Sequence, residues 1–271
     1  MGTAIRQRWN DCEIVAPTHA ELDLQQTDRV VEALEMTRAE VLVNAAAFHD
    51  VDECEVRPRP PFAISAIAGE AAARAARDAD ATFVTFSTDY VFDGASSSPY
   101  REDDSVRPLS VYGASKLAGE YLVERLDARA LVVRTCGLYG SAGSSGARRP
   151  FIERVLSRRG EGPVSVVADV QVSPTFAGHL ADALRGLIDR GAYGLYHAVN
   201  AGPVSWYDFA SEAARQAGVD VRLEPISADR WRAPAIRPRF SALSNGKLAS
   251  LGIAMPSWSD GIAAYLRSAV R

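Results

Sequence analysis

Tyr112 and Lys116 stand four residues apart in a segment whose pattern predicts a helix over 110–126. Residues at i and i+4 share one helix face, so the phenol and the ammonium can point into the same site. A nearby ammonium favours the phenolate and lowers the pKa of a tyrosine from about 10 towards working pH. A phenol tuned in this way can donate a proton to a carbonyl oxygen or accept one from an alcohol. The alternative is an ordinary pair on a helix surface.

The lysine of this pair is rare in the composition. Of the 30 basic residues, only Lys116 and Lys247 are lysines, and the rest are arginines. Such a skew indicates first a coding bias. A lysine that survives it can mark a position where a guanidinium cannot replace an ammonium, because the two groups differ in shape and acidity. Chance survival of both lysines is the alternative.

A second polar cluster follows a predicted apolar strand at 82–87. The strand ends abruptly in the hydroxyls of Ser87 and Thr88 and the carboxylate of Asp89, before a turn at 93–94. A hydroxyl at this point can hydrogen-bond the same carbonyl oxygen that Tyr112 protonates. Residues of these types usually bond to loop backbone. Beside the Tyr-x-x-x-Lys pattern, the functional interpretation is favoured.

Two other segments and one histidine complete the candidates. Small residues at 45–47 follow a predicted buried strand, where they permit either close approach of a flat ligand or tight helix packing. Arg237 lies in a basic turn that can bind a diphosphate through its guanidinium fork or remain solvated. His49 has no second ligand at metal spacing, so we predict no metal site.

Strands and helices alternate around these segments. The predicted strands are 13–16, 41–44, 82–87, 130–135, 164–167 and 194–199, and the predicted helices are 2–9, 28–37, 62–78, 110–126, 151–159, 175–189, 206–217 and 256–268. This alternation indicates βαβ units and a parallel sheet buried on both faces. Ligands bind beyond the carboxyl ends of such strands, which directs attention to 45–52, 87–94 and 135–140.

The composition excludes several classes of protein. The chain has 271 residues, 47% of them hydrophobic, and a net charge of −4, so it forms one large domain or two small ones without an electrostatic footprint for nucleic acid. No apolar run approaches the roughly 18 residues of a membrane span, and the N-terminus lacks the apolar core of a signal peptide. Three widely spaced cysteines fit free thiols in the cytoplasm.

Together these segments resemble the extended short-chain dehydrogenase/reductases, and within them the dTDP-4-dehydrorhamnose reductase family. The likeness is carried by residues 44–47, 87–94, 112–116, 134–140 and 237–243, and runs from Gly2 almost to the C-terminus. The run Ser-Thr-Asp-Tyr-Val-Phe-Asp-Gly at 87–94 is much more specific than Tyr-x-x-x-Lys alone. The resemblance implies an α/β protein with a Rossmann-type, doubly wound parallel sheet and a small C-terminal α/β substrate lobe. We expect residues 1–140 to bind NAD(P) and 141–271, beginning with a loop at 141–150, to form mainly the substrate lobe.

The resemblance also implies a reaction. NADPH, with NADH as the alternative, reduces C4 of a nucleotide-linked 4-keto-6-deoxysugar, in the main case converting dTDP-4-dehydro-L-rhamnose to dTDP-L-rhamnose. Tyr112 donates the proton, Lys116 lowers its pKa and holds the nicotinamide ribose, and Thr88 hydrogen-bonds the carbonyl. Further implied contacts are with the cofactor at Gly2, Asp23, Leu24, Ala45, Ala46 and Ala47, and with the sugar nucleotide at His49, Val51, Asp89, Gly137 and Arg237.

The chain departs from the family pattern in three places. The opening strand and glycine-rich turn are missing except for Gly2, and in a 3-2-1-4 strand order that strand is central. We therefore expect the true start roughly a dozen residues upstream, and weak or absent NADPH binding if the chain begins at Met1. Gly137 replaces the usual tryptophan, which should enlarge the sugar site, and His49 stands where a threonine is common.

These departures leave other functions open. One is a related nucleotide-sugar reductase or epimerase that acts on another substrate. Another is a catalytically silent, cofactor-binding regulatory subunit, which the missing glycine-rich turn favours and the intact Thr88, Tyr112 and Lys116 oppose. The sequence is compatible with a homodimer, and it indicates neither a nucleic-acid nor a membrane partner.

Overall fold

The computed structural model describes residues 1–126, 128–140 and 150–269. The helices are α1 (Gly2–Arg8), α2 (Thr27–Thr37), α3 (Val51–Val56), α4 (Arg59–Phe62), α5 (Gly69–Asp78), α6 (Val111–Glu124), α7 (Phe151–Leu156), α8 (Ala177–Asp189), α9 (Trp206–Ala217), α10 (Gly246–Ser250) and α11 (Trp258–Ala269). The strands are β1 (Val41–Asn44), β2 (Thr82–Thr88), β3 (Ala130–Thr135), β4 (Val164–Val167), β5 (Gln171–Val172), β6 (Gly194–His197), β7 (Val204–Ser205) and β8 (Leu223–Ile226).

A parallel sheet in the order β1-β2-β3-β6 forms the centre of the fold. Apolar side chains of its strands alternate between two buried clusters. Val84, Leu131 and Val133 point into a cluster with α1 and α8, and Phe83 and Val132 point into a cluster with α2, α5 and α6. Helices thus cover both faces, which confirms the predicted doubly wound α/β class.

The predicted strand at 13–16 is wrong, because this segment has no strand structure and Val15 is 63% exposed. A strand forms only where a neighbour satisfies its backbone N–H and C=O groups. In the described residues, β1 pairs with β2 on one side only and is the edge of the sheet. The segment 13–16 does not pair with the free side of β1, so it forms no strand.

The long helix predicted at 62–78 is present but irregular. α4 and α5 are joined by a π-helical segment, Ala63–Ala68. This segment packs against α6 at Gly119, where a Cβ would lie closer than 3.0 Å to the carbonyl oxygen of Ser65. Only glycine permits this approach of the two backbones, which brings Ser65 next to the helix that carries Lys116.

The C-terminal half divides between the main sheet and separate clusters. β6 and α8 belong to the main sheet and its covering layer, whereas β4 pairs with β8 and β5 with β7. The sequence does not predict the short elements, because segments of two to six residues carry too little periodicity. These elements are α3, α10, β5, β7 and β8. The predicted loop at 141–150 lies outside the described residues except for Pro150.

Lys247, for which the sequence indicates no chemistry, has a structural position. Its Nζ donates to the carbonyl oxygen of Leu195 at 2.6 Å and lies 4.3 Å from the centre of the Tyr196 ring. These contacts connect α10 to strand β6. Among the described helices, none is both long enough and apolar enough to cross a bilayer.

Replacing Gly119 by alanine should destabilise the fold, because the new Cβ meets the backbone of the π-helical segment. We expect Gly119→Ala to lower the free energy of unfolding by about 2 kcal/mol or more in denaturant titration. Gly69→Ala is the control, since a Cβ there has its nearest neighbour at 3.8 Å. That variant should be neutral or more stable by up to about 1 kcal/mol. Equal effects of the two substitutions would contradict this account of the packing.

Candidate active site

The start of α6 is held against the end of β2. Ser110 caps the helix by accepting a hydrogen bond of 3.2 Å from the N–H of Gly113. A Cβ on Gly113 would lie closer than 3.0 Å to the carbonyl oxygen of Tyr90, in the 3-10 turn Asp89–Val91 that follows β2. Helix and turn are therefore in backbone contact, and Tyr112 is placed beside Thr88.

Tyr112 is a neutral phenol in this site. Burial raises its pKa above the ordinary value, the charge of Asp89 raises it further, and a hydrogen bond with Thr88 opposes both effects. The expectation that Lys116 lowers the pKa of Tyr112 is wrong for this structure, because the ammonium is directed to a backbone carbonyl. A protonated phenol is the form that can donate a proton to a carbonyl oxygen.

Lys116 is 8% exposed and donates from Nζ to the carbonyl oxygen of Phe86 at 3.0 Å. Burial lowers its pKa to about 8, and the negative charge of Glu120 opposes this shift. Glu120 lies one helical turn after Lys116 and is itself buried. The amine is therefore mostly, but not completely, protonated at neutral pH, beside a carboxylate one helical turn away.

Glu120 is paired with Arg134 of β3 in a buried, two-point ion pair. Arg134 donates from Nε to Glu120 Oε1 at 2.9 Å and from NH2 to Glu120 Oε2 at 2.6 Å. The guanidinium also lies 3.4 Å from His197 Nε2 and 5.1 Å from the centre of the Phe92 ring. This pair connects α6 to the middle of the sheet, one helical turn after Lys116.

A cavity of about 10 Å³ lies beside Lys116, between α6, β2 and the π-helical segment. It is lined by Asn44, Ala46, Ser65, Thr85, Phe86, Ser87, Lys116, Gly119, Glu120 and Val132. Within the described part of the chain, the buried hydroxyls of Ser65 and Ser87 have no hydrogen-bond partner. A polar cavity of this size has room for about one water molecule.

Thr88 and Asp89 meet Tyr112 at the end of β2. Thr88 Oγ1 lies 3.1 Å from Asp89 Oδ1 and accepts a hydrogen bond of 3.2 Å from the N–H of Tyr90. Asp89, a predicted sugar contact, is only 3% exposed and lies below Thr88. Its other carboxylate oxygen accepts a hydrogen bond of 2.6 Å from Ser241 Oγ. Thr88, Tyr112 and Lys116 are thus brought together, as the sequence predicts.

Three of the predicted cofactor residues follow β1 at the same end of the sheet. Ala45, Ala46 and Ala47 are exposed directly after β1, where Asn44 Oδ1 accepts a hydrogen bond of 3.0 Å from the N–H of Ala46. Gly2 begins α1, and a Cβ there would have no neighbour within 4 Å. Asp23 Oδ1 accepts from the N–H of Gln25 at 3.0 Å, and Leu24 packs against the buried cluster beneath α2 and α5.

Of the predicted substrate residues, Arg237 is bound to another residue of the chain. It donates to both carboxylate oxygens of Asp52 at 3.1 and 3.0 Å, and it also contacts Tyr90. His49 is exposed, and the half-buried Val51 begins α3. The ion pair with Asp52 was not expected, because the two residues are far apart in sequence.

Gly137 has φ +49° and lies against the indole of Trp206. A Cβ on Gly137 would come within 2.9 Å of Trp206 Cη2 and 3.3 Å of Pro174 Cα. The expected enlargement of the site is therefore limited, since an indole from α9 occupies the space beside Gly137. Sequence reasoning missed Trp206, as it missed Ser65 and Ser241, because their relation to the site exists only in three dimensions.

The sheet is of the Rossmann type, a threonine lies at the end of one strand, and the next helix carries a Tyr-x-x-x-Lys pair. This combination defines a short-chain dehydrogenase/reductase of the extended type. Residues 1–271 match the family described as the RmlD substrate binding domain, and the chain belongs to that family.

Named relatives agree with this assignment. The dTDP-4-dehydrorhamnose reductase of Escherichia coli is 35% identical over 252 residues, which cover 89% of this chain and 83% of the relative. A probable dTDP-4,6-dihydroxy-2-methyloxan-3-one 4-ketoreductase of Streptomyces antibioticus is 35% identical over 258 residues, 93% of this chain and 86% of that protein. The crystal structure of a dTDP-4-dehydrorhamnose reductase from Bacillus anthracis in complex with NADP has a TM-score of 0.91 and 31% identity, and covers 98% of this chain and 94% of its own.

The buried ion pair provides a test of the site's architecture. Glu120→Gln leaves Arg134 charged and without its carboxylate, so we expect the free energy of unfolding to fall by about 3 kcal/mol or more. Glu70→Gln is the matched control, because Glu70 pairs with Arg74 at 2.8 Å on a partly exposed helix surface. That substitution should cost less than about 1 kcal/mol. Similar losses in urea titrations of both variants would contradict the importance of burial.

Proposed function

We propose that the protein catalyses the NADPH-dependent reduction of the 4-keto group of a nucleotide-linked 6-deoxysugar, most of all dTDP-4-dehydro-L-rhamnose. The observation that carries this proposal is the convergence of Thr88, Tyr112 and Lys116 at the carboxyl end of β2. The name of the Escherichia coli relative supports the substrate. The Bacillus anthracis structure, which holds NADP, supports the cofactor.

The residues present fit the nicotinamide end of such a cofactor. Tyr112 and Lys116 offer a hydroxyl and an ammonium for a ribose, and the exposed small residues 45–47 leave the backbone open to a flat ring. Gly2, at the start of α1, would lie against the phosphates of the cofactor. When bound, NADPH supplies the hydride, and NADH is the alternative donor.

Residues of the chain supply the proton and orient the carbonyl group of the substrate. Tyr112 donates its phenolic proton to the carbonyl oxygen as that oxygen becomes an alcohol, and burial keeps the phenol protonated until then. Lys116, mostly charged below a pKa of about 8, would hold the nicotinamide ribose from the next turn of the same helix. Thr88 hydrogen-bonds the same carbonyl oxygen and orients it.

We further infer that residues 1–140 bind the dinucleotide and that most sugar-nucleotide contacts come from 141–271. His49 and Val51 would contribute from the first part, and Gly137 and Arg237 would complete the site. Asp89, which the sequence predicts as a sugar contact, is 3% exposed and would act through Thr88 instead. Arg237 is suited to a diphosphate because its guanidinium can exchange a carboxylate for a phosphate of similar geometry. Its pairing with Asp52 holds it against the first turn of α3.

The sugar itself is the less constrained part of the proposal. The relative from Streptomyces antibioticus is named as a 4-ketoreductase for a different dTDP-linked compound. A related 4-keto sugar nucleotide is therefore the second candidate substrate. We also infer a cytoplasmic location, supported by three free cysteines, of which Cys54 and Cys136 are buried. A homodimer remains a prediction.

Tyr112→Phe should lower kcat for NADPH oxidation with dTDP-4-dehydro-L-rhamnose by about 10²- to 10⁴-fold, because the proton donor is lost. KM should change little. Tyr121→Phe is the control, since Tyr121 lies on the same helix but is 57% exposed. A wild-type protein that reduces no 4-keto sugar nucleotide, or a Tyr112→Phe variant as fast as wild type, would sink the proposal.

Arg237→Gln should raise KM for the sugar nucleotide by about tenfold to a hundredfold and leave kcat nearly unchanged, because a charge-assisted bond to the diphosphate is lost. Arg239→Gln is the matched control in the same turn, where Arg239 pairs with Asp169 at 2.9 Å on the surface. Steady-state kinetics of both variants separate the two roles. Equal KM values would show that Arg237 does not contact the substrate.

A further inference from the structure

The hydroxyl of Thr88 has more partners than it has hydrogens. In the structure it accepts from the N–H of Tyr90 and donates to Asp89 Oδ1, and it also contacts the phenol of Tyr112. The proposed reaction asks the same hydroxyl to donate to a carbonyl oxygen. Since a hydroxyl carries a single hydrogen, it cannot donate to Asp89 and to the substrate at once.

Asp89 determines which of these two bonds is made. A carboxylate only accepts, so the ionised form takes the hydrogen of Thr88. A neutral carboxylic acid donates its own hydrogen to Thr88 Oγ1 and leaves the threonine hydrogen for the substrate. The distance of 3.1 Å between Thr88 Oγ1 and Asp89 Oδ1 suits either direction.

The surroundings of Asp89 permit both forms near neutral pH. Burial raises the pKa of its carboxyl to about 6, while hydrogen bonds with Ser241, Cys136 and Thr88 oppose the shift. The other titratable neighbours are the phenols of Tyr112 and Tyr90. Arg237 in turn contacts Tyr90, and its charge favours the phenolate of that residue. A bound dinucleotide and sugar diphosphate bring negative charge and exclude water, and both effects favour the neutral acid further.

We propose that Asp89 is a positioning residue that turns the Thr88 hydroxyl towards the substrate carbonyl when it is protonated and away from it when it is ionised. This inference rests on the proposed function, because it assigns a reaction to Thr88. No bond other than hydrogen bonds is made or broken, and the proton of Asp89 stays on Asp89 through the turnover. Ser241, which donates to the second oxygen at 2.6 Å, holds the carboxyl in place in both forms.

The pH dependence of kcat for 4-keto sugar reduction is the first test. In the wild type, kcat should fall about tenfold or more as pH rises through the titration of Asp89, because one hydrogen bond to the developing oxyanion is lost. In Asp89→Asn the amide Nδ2 donates to Thr88 at every pH. This limb of the kcat profile should then disappear, and only the fall at higher pH that comes from deprotonation of Lys116 should remain in both proteins. At pH 8, kcat of the variant should exceed that of the wild type about tenfold. Thermal melting checks that the variant is folded.

Ser241→Ala supplies a second, graded test. Removal of a donor to the carboxylate raises the pKa of Asp89, so the limb should move to higher pH without vanishing. Carbon-13 NMR of the Asp89 carboxyl, assigned by its loss in Asp89→Asn, follows the same titration without turnover. Its midpoint should move with the kinetic limb in the wild type and in Ser241→Ala.

The outcomes separate the two proposals. A folded Asp89→Asn that keeps the wild-type limb, or loses activity equally at every pH, overturns the role of Asp89. A carboxyl signal that does not titrate between pH 5 and 9 overturns it as well. A wild type that titrates as expected by NMR but reduces no 4-keto sugar nucleotide contradicts the proposed function instead.

Discussion

Backbone contact between α6 and its two neighbours is the constraint on which the site depends. Gly113 meets the turn after β2, and Gly119, six residues further along the same helix, meets the π-helical segment. Tyr112 lies beside the first contact, and Lys116 lies between the two. A helix held at both places cannot shift along its axis, so the phenol keeps its place beside Thr88 and the ammonium its place beside Phe86. Preorganisation of this kind is what allows a proton donor to act without rearrangement.

The charges beneath the site follow from the same packing. A helix that approaches the sheet so closely leaves room for only about one water molecule beside Lys116, and a buried ammonium needs compensation. Glu120 supplies it, and Arg134 in turn neutralises Glu120 from β3. Lys116 is therefore compensated from its own helix, and Glu120 is compensated from β3. Burial lowers the pKa of Lys116 to about 8, so a fraction of this amine is unprotonated near neutral pH.

Local pattern predicts much of this fold and little of its electrostatics. The strands at 41–44, 130–135 and 164–167 and the helix at 206–217 have the predicted bounds, because apolar runs and helical periodicity are properties of the segments themselves. The segment 13–16 has the composition of a strand but lacks a partner, which no local pattern reveals. Tyr112 and Lys116 could be found from their spacing. Their pKa values could not, since burial, Asp89 and Glu120 determine them, and the same holds for the pairs Asp52–Arg237 and Glu120–Arg134.

The seclusion of Lys116 has a further chemical consequence. An amine with a pKa of about 8 is partly unprotonated at neutral pH and is a nucleophile towards ketones, with which it condenses to an imine. A keto sugar is such a ketone, so an exposed lysine of this kind would trap the molecule that the site is built to hold. Lys116 is 8% exposed, is directed to the carbonyl of Phe86, and borders a cavity of only about 10 Å³. The same burial that tunes the amine thus screens it from covalent self-inactivation.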